Sequence, residues 1–498
     1  MSRFFKLEEN NSSIKTEVVA GFTTFFTMSY IIFVNPAILS ESGMDFSSVM
    51  IATCLSAAVG TILIGLMSNY PFAQAPGMGM NAFFVYTICL NLSWTWQAAL
   101  AAVFISGVLF LFVTISGLRE ILINSIPMSM KMAISAGIGF FIASIGLKNG
   151  SVISVSDGGL FIGSFSNPYM ILTLIGFVII LGFMALKVKG GVLMGIVVVT
   201  VIGIFMPDGN GGRVTSFSGI ELTTPVLLGF GSFIILIFFV ILWAVTSKKF
   251  FAYLSLASII LSFVMLIINI FASGTAISMS ATFLKLDFTG LLVGPNLFVQ
   301  ITTLLSVILA LLIVSVFDTM GTIIGTAEKA GYLDKDGNLP RAKNALMADA
   351  ISGIVGSLFG TSTVTTYVES ASGINEGGRT GLTSVFVSFL FVLSLLFTPI
   401  ASIIPGAATA PALIVVGILM VKPLAKIDWD DFSETASSFM IILMMPFTTS
   451  ITDGLAFGFI TYVLCKITTK KAADINGIIW GITILFVIYY LVKALVIG

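Results

Sequence analysis

Hydrophobic runs of about 18 to 25 residues recur along the whole chain, each long enough to cross a ~30 Å hydrocarbon core as a helix. The runs predict spans near residues 17–38, 47–68, 72–90, 95–117, 128–147, 169–188 and 190–207. A second series lies near 298–326, 344–359, 361–374, 380–399, 404–421, 434–451 and 453–468. Two further runs, 227–246 and 250–272, separate the series as a hairpin, and one at 476–496 ends the chain.

The two series match in order. FTMSYII (26–32) corresponds to DTMGTII (318–324), ATCLSAAVGTIL (52–63) to ADAISGIVGSLF (348–359), and AVFIS (102–106) to SVFVS (384–388). The Ile-Pro at 126–127 corresponds to that at 404–405, and GVLMGI (191–196) to GLAFGF (454–459). Collinear matches of this kind mark an internal repeat. Seven spans per half is an odd number and the intervening pair is even, so the second half starts on the opposite side of the membrane. The expected fold is an all-α polytopic membrane protein of two inverted repeats, 17–210 and 298–468. Around them lie a cytoplasmic N-terminus (1–16), a connection (211–297) that carries the extra hairpin 227–272, and a C-terminal hydrophobic segment (469–498). Inverted repeats with interrupted spans near the midplane are a transporter architecture, because mirrored halves give mirrored openings.

Composition sharpens this picture. With 57% hydrophobic and 9% charged residues, the 498-residue chain has no stretch left over for a soluble domain. The polar start, MSRFFKLEENNSSIKTE, lacks the apolar core and cleavage site of a secretory leader, so no removed leader is expected. An N-terminus placed in the cytoplasm puts 19 of the 23 lysines and arginines inside, leaving only Lys148, Arg213, Lys285 and Lys493 outside. That bias sets the orientation. Cys54, Cys89 and Cys465 sit in apolar runs without metal-type spacing and read as small buried hydrophobes, so no metal site is expected. Histidine is absent, which leaves proton chemistry to carboxylates.

Two segments break the helical pattern at equivalent places in the two halves. Segment three, NYPFAQAPGMGMNAFF (69–84), is interrupted by Pro76, Gly77 and Gly79. Segment ten, GTSTVTTYVESASG (360–373), is rich in β-branched residues and reads as a short extended strand. Unwound backbone inside a bilayer must satisfy its polar groups against protein, water or ligand, so the two are expected to pair and line a cavity. After each strand the chain resumes as a half-helix, near Ala82 and at Ser370, whose free N–H groups face a polar guest. Glu369 stands at one such junction. Asp318, in LLIVSVFDTMGTIIG, is the other embedded acid. Intramembrane acids are expensive and usually mark a substrate or ion path. No basic residue is near Asp318 in sequence, so desolvation would favour its neutral form and suit it to proton exchange near neutral pH. Asp349, Glu434 and Asp453 fall near span ends and read as caps or interfacial charges.

The motifs APGMGMNAFF (75–84), FDTMGT (317–322) and GTSTVTTYVESASGINEGGRTGLT (360–383) resemble those of the azaguanine-type adenine/guanine/hypoxanthine permeases, a branch of the nucleobase/ascorbate transporter superfamily. The resemblance runs from about residue 15 to 210 and from about 298 to the end. It implies fourteen helices divided into a core domain (17–117 and 298–399) and a gate domain (118–210 and 400–468). It also implies proton-coupled uptake of purine bases by elevator-like alternating access, with no cofactor beyond the proton. Glu369 would hydrogen-bond the base, Asp318 would couple protons or serve as a second ligand, and Asn81 would contribute from segment three. Tyr367 and Phe83 would flank the ring, with Gly79 and Thr366 completing the site. In the family pattern another acid commonly stands three residues before the aspartate of FDT; here that position is Ser315, a departure that bears on coupling and on the preferred base.

The implied partners are a purine base, protons and membrane lipid, in a cell inner (plasma) membrane; no nucleic-acid partner is expected. The 227–272 hairpin is open between a peripheral addition, an oligomer contact such as a homodimer would use, and a surface lying along the membrane. Rival readings are a transporter of the same fold for uracil, xanthine or an anion, and an uncoupled channel or sensor. An anion carrier would favour a cationic or purely dipolar site, and the broken segments carry an acid and no lysine or arginine within the strands. An enzyme is not expected, since no histidine, paired metal ligands or nucleophile–base set is visible.

Overall fold

The computed structural model describes residues 2–117, 125–156, 159–209, 211–215, 278–292, 296–334, 339–398 and 403–497. The predicted hairpin at 227–272 lies outside the described residues. Within them, eight helical stretches are long and apolar enough to cross a membrane, and four shorter apolar helices accompany them. The protein is a multi-pass helical membrane protein.

The first predicted span is two helices, α1 (Ile14–Met28) and α2 (Ile31–Leu39), with the break at Ser29 and Tyr30. Ser13 caps α1 by accepting from the Thr16 amide. α3 (Phe46–Ser68) starts at Asp45, whose carboxylate accepts from Ser48 N at 2.7 Å. Such caps satisfy donors that a helix start leaves open. Segment three follows as strand β1 (Gln74–Pro76) and helix α4 (Met78–Ala82), which runs on as π-helix over Phe83–Asn91. After it come α5 (Trp96–Ser116) and α6 (Met128–Asn149). A hairpin of β2 (Ile153–Ser156) and β3 (Gly159–Ile162) leads to α7 (Pro168–Ala185) and α8 (Gly191–Phe205).

The second half begins with the long α9 (Leu297–Ala330), then α10 (Ala342–Phe359). α10 ends at Gly360 with φ of +91°, a left-handed cap that a side chain would strain. Segment ten is β4 (Val364–Thr366) followed by α11 (Ser370–Asn375). The chain finishes with α12 (Gly381–Ser394), α13 (Gly406–Met420), α14 (Phe432–Thr448), α15 (Ile451–Thr468) and α16 (Gly477–Ile497). The predicted C-terminal run is thus a helix, packed on α9 and α15.

The largest helix contacts fall into two sets, joined by lesser ones such as α9 on α6 and α15, and α1 on α8. α3 packs on α10 and α12, α5 on α10 and α9, and α1 on α12; separately, α6 packs on α13 and α14, α7 on α13 and α8, and α14 on α15. Between helices in lipid there is little hydrophobic drive, so close backbone approach at small residues carries much of the association. The α3–α12 crossing shows it. A Cβ on Gly381 would sit 2.0 Å from the Gly65 carbonyl oxygen, and one on Gly65 would sit 2.8 Å from Ser384 Cβ. Gly381→Ala is therefore expected to push the helices apart, costing about 1–3 kcal/mol. A lowered thermal midpoint of the purified protein would register it; an unchanged midpoint would mean the crossing tolerates the extra methyl.

Candidate functional site: the paired strands of segments three and ten

β1 and β4 meet as an antiparallel pair with Gln74 opposite Thr366, Ala75 opposite Thr365 and Pro76 opposite Val364. The ladder extends past the strands: Gly77 N donates to Thr363 O at 3.0 Å and Tyr367 N to Ala73 O at 2.9 Å. The two interrupted segments therefore satisfy each other's backbone, as buried unwound chain requires. The strands are three residues each, a small part of the interrupted segments. Helix α4 starts at Met78, so Gly79 and Asn81 stand in its first turns, while α11 starts at Ser370 as expected.

Around the pair lies a polar girdle that the sequence reading left out. Asp349 is not a span-end charge: it is 2% exposed within α10. Its Oδ1 accepts from Gln74 Nε2, Thr366 N and Thr366 Oγ1, each at 3.0 Å, and its Oδ2 from Thr319 Oγ1 at 2.6 Å. Ser352 Oγ donates to Gln74 Oε1 at 2.7 Å. On the other side, Asn35 Nδ2 donates to Thr53 Oγ1 (2.6 Å) and Thr361 Oγ1 (2.9 Å). Sequence gave one signal for this, since ATCLSAAVG and ADAISGIVG place Thr53 and Asp349 at equivalent positions.

The residues expected to bind fall into three groups. Glu369 precedes α11; its Oε1 accepts from Tyr30 OH at 2.7 Å, and its Oε2 is buried with no hydrogen-bond partner among the described residues. Asn81 Oδ1 accepts from Ser362 Oγ, and its Nδ2 is buried with no hydrogen-bond partner among the described residues. Asp318 lies within α9, with Oδ2 3.6 Å from the place a Cβ on Gly77 would take, and within electrostatic range of Asp349 and Glu369. These three leave polar atoms open around the strand pair.

Tyr367 and Thr366 are held by the scaffold. Tyr367 OH donates to Pro76 O at 2.6 Å, and Thr366 is bonded to Asp349 and Gln74. Gly79 and Phe83 pack. A Cβ on Gly79 would meet Ile138 of α6 at 2.6 Å, and Phe83 is fully buried in the main hydrophobic cluster. Tyr30, at the break between α1 and α2, is the partner of Glu369 that the sequence does not single out, because TMSYII reads as uninterrupted apolar helix.

An unpartnered buried carboxylate oxygen and an unpartnered buried amide nitrogen are costly in a folded protein, about 1–3 kcal/mol each. One is an acceptor and the other a donor. Among the described residues no group of three or more cysteines and acids could hold a metal ion.

Comparison with known proteins gives this arrangement its relatives. The chain matches the model of the Permease family over residues 15–227 and 208–457. It is 37% identical to the adenine permease AdeP of Escherichia coli over 98% of this chain and 95% of that one. It is 36% identical to the guanine/hypoxanthine permease PbuG of Bacillus subtilis, over 99% of each. In fold it is similar to the solved structure of SLC26A9, with a TM-score of 0.57 at 14% identity, covering 92% of this chain and 66% of that one. Full-length matches at this identity, on a membrane fold with paired interrupted segments, establish that the chain belongs to the Permease family, the nucleobase/ascorbate transporter family that its motifs resemble.

Proposed function

We propose that the protein is a proton-coupled importer of purine nucleobases, adenine, guanine or hypoxanthine, in the cell inner (plasma) membrane with its N-terminus in the cytoplasm. The observation that carries this reading is the pair of open polar atoms, Glu369 Oε2 and Asn81 Nδ2, in the two paired segments. A purine is a planar body with N–H donors and ring acceptors on its edge. A carboxylate takes the first and an amide N–H serves the second, while a site built on such bonds rejects bases that leave them unpaired. The names of the relatives, an adenine permease and a guanine/hypoxanthine permease, support the same substrate class.

Asp318 is the proposed proton carrier, with Glu369 as a second titrating group. Neither has an ion-pair partner among the described residues, and carrying bare charge past a lipid-like surface is expensive. Protonation on loading lowers that cost. The division into core (17–117 and 298–399) and gate (118–210 and 400–468) fits the two sets of helix contacts and suits an elevator-like movement of one set against the other.

Uptake of labelled adenine, guanine and hypoxanthine into cells lacking their own purine permeases tests the reading, with a competition panel of unlabelled bases. Saturable uptake that falls several-fold when a protonophore collapses the pH gradient, and that acidifies the cytoplasm, is the expected result. Uptake indifferent to the gradient would remove the coupling, and transport of none of the three bases would remove the substrate class.

A further inference from the structure

A small polar cavity lies away from the paired strands. It forms where Asn91, at the end of the π-helical stretch, meets Thr303 and Ser306 of α9, Ser450, Thr452 and Asp453 at the start of α15, and the C-terminal helix α16. The lining is rich in hydroxyl oxygens, carries one carboxylate and contains no lysine or arginine. Its room suits a single water-sized occupant.

Two features of the lining need an account. Ser306 is fully buried and Thr452 is 4% exposed, yet neither hydroxyl has a hydrogen-bond partner among the described residues. The Asp453 carboxylate accepts from Tyr490 OH at 2.6 Å and has no ion-pair partner among the described residues. A water would satisfy the two hydroxyls. It would leave the carboxylate with the Tyr490 hydroxyl and the α15 dipole but no counter-ion.

We propose that this cavity binds one sodium ion. Hydroxyl, amide and carboxylate oxygens are hard donors, the class that holds alkali and alkaline-earth ions. A single carboxylate suits a monovalent ion, whereas dedicated calcium sites usually gather several carboxylates. The positive end of the α15 dipole opposes a cation, and the Asp453 carboxylate in the first turn outweighs it. Bound there, the ion bridges segment three and α9 to α15 and α16, and so favours the one arrangement of the proposed core and gate in which these lining residues meet.

Thermal unfolding of the purified full-length protein in detergent tests this. Sodium chloride is titrated against choline chloride at constant ionic strength, for the wild type, Ser306→Ala and Asp453→Asn. The wild-type midpoint is expected to rise saturably by about 2–4 °C in sodium, as binding to the folded state requires. Both variants are expected to lose the rise. An identical wild-type midpoint in both salts, or variants that keep the sodium shift, would overturn the proposal. If Asp453→Asn does not fold, Ser306→Ala alone decides, since it removes one ligand oxygen from a side chain that bonds nothing else. No purine enters the measurement, so its outcome stands whatever the transport assay returns.

Discussion

Glu369→Gln is expected to lower purine uptake by about 10- to 100-fold while the protein still folds and reaches the membrane. The argument is one of atoms. Tyr30 OH donates to Oε1, and a glutamine retains a carbonyl oxygen to accept that bond, so the junction between β4 and α11 stays held. The change falls on the other oxygen. Oε2 is the buried, unpartnered acceptor, and in the variant its place is taken by an N–H donor, which meets a purine N–H donor to donor. A charge-assisted bond becomes a buried mismatch.

Initial rates of labelled hypoxanthine uptake, corrected for membrane abundance, read the effect directly; unchanged affinity would remove Glu369 from the site. Tyr30→Phe gives the companion measurement. It leaves every packing atom in place and frees Oε1, so affinity is expected to fall by about tenfold, with the double variant less than additive because the two residues share one bond.

The spans and the pairing of the two interrupted segments are legible in the sequence. Spans follow from hydrophobic length, and the pairing of segments three and ten follows from breakers at matching places in two halves, because unwound backbone in lipid has few other partners. Glu369 and Asp318 stood out for a similar reason: an acid inside an apolar run needs an explanation. What was not readable depends on depth and on tertiary neighbours. Asp349 reads as a span-end charge because it lies close to the start of the predicted 344–359 run. Yet α10 begins at Ala342, and seven residues at 1.5 Å per residue carry Asp349 about two turns inward, to the level of the strands. Gln74 and Tyr30 were missed because nothing local distinguishes them. Their importance comes from partners 275 and 339 residues away along the chain.

The girdle around the strands also explains why the strand pair keeps its shape. Two three-residue strands have too few ladder bonds to be stable alone. Each is braced from a neighbouring helix: α3 supplies Thr61, whose hydroxyl donates to Gln74 O at 3.0 Å and accepts from Gln74 N at 2.9 Å. α10 supplies Asp349 to the opposite strand. In the sequence correspondence Thr53 and Asp349 are equivalent, and each reaches segment ten, Thr53 through Asn35 to Thr361 and Asp349 directly to Thr366. A neutral hydroxyl does one task and a carboxylate the other.

Asp349→Ala is accordingly expected to be the most damaging single change to stability, on the order of 3–5 kcal/mol. The substitution removes an acceptor that gathers Gln74 Nε2, the Thr366 amide and hydroxyl, and the Thr319 hydroxyl. It leaves those donors buried without their partner. Thr319 follows Asp318 directly in α9, so the same loss frees the rotation of the helix turn that presents the proposed proton carrier. Detergent extracts run on a sizing column should show a reduced or aggregated peak for the alanine variant. Asp349→Asn, which keeps the shape and one acceptor oxygen, should give a folded protein with a lowered thermal midpoint. An alanine variant as stable as the wild type would mean that the strands are held by their own ladder and the hydroxyl braces, and that the buried carboxylate is not what fixes segment ten against α9 and α10.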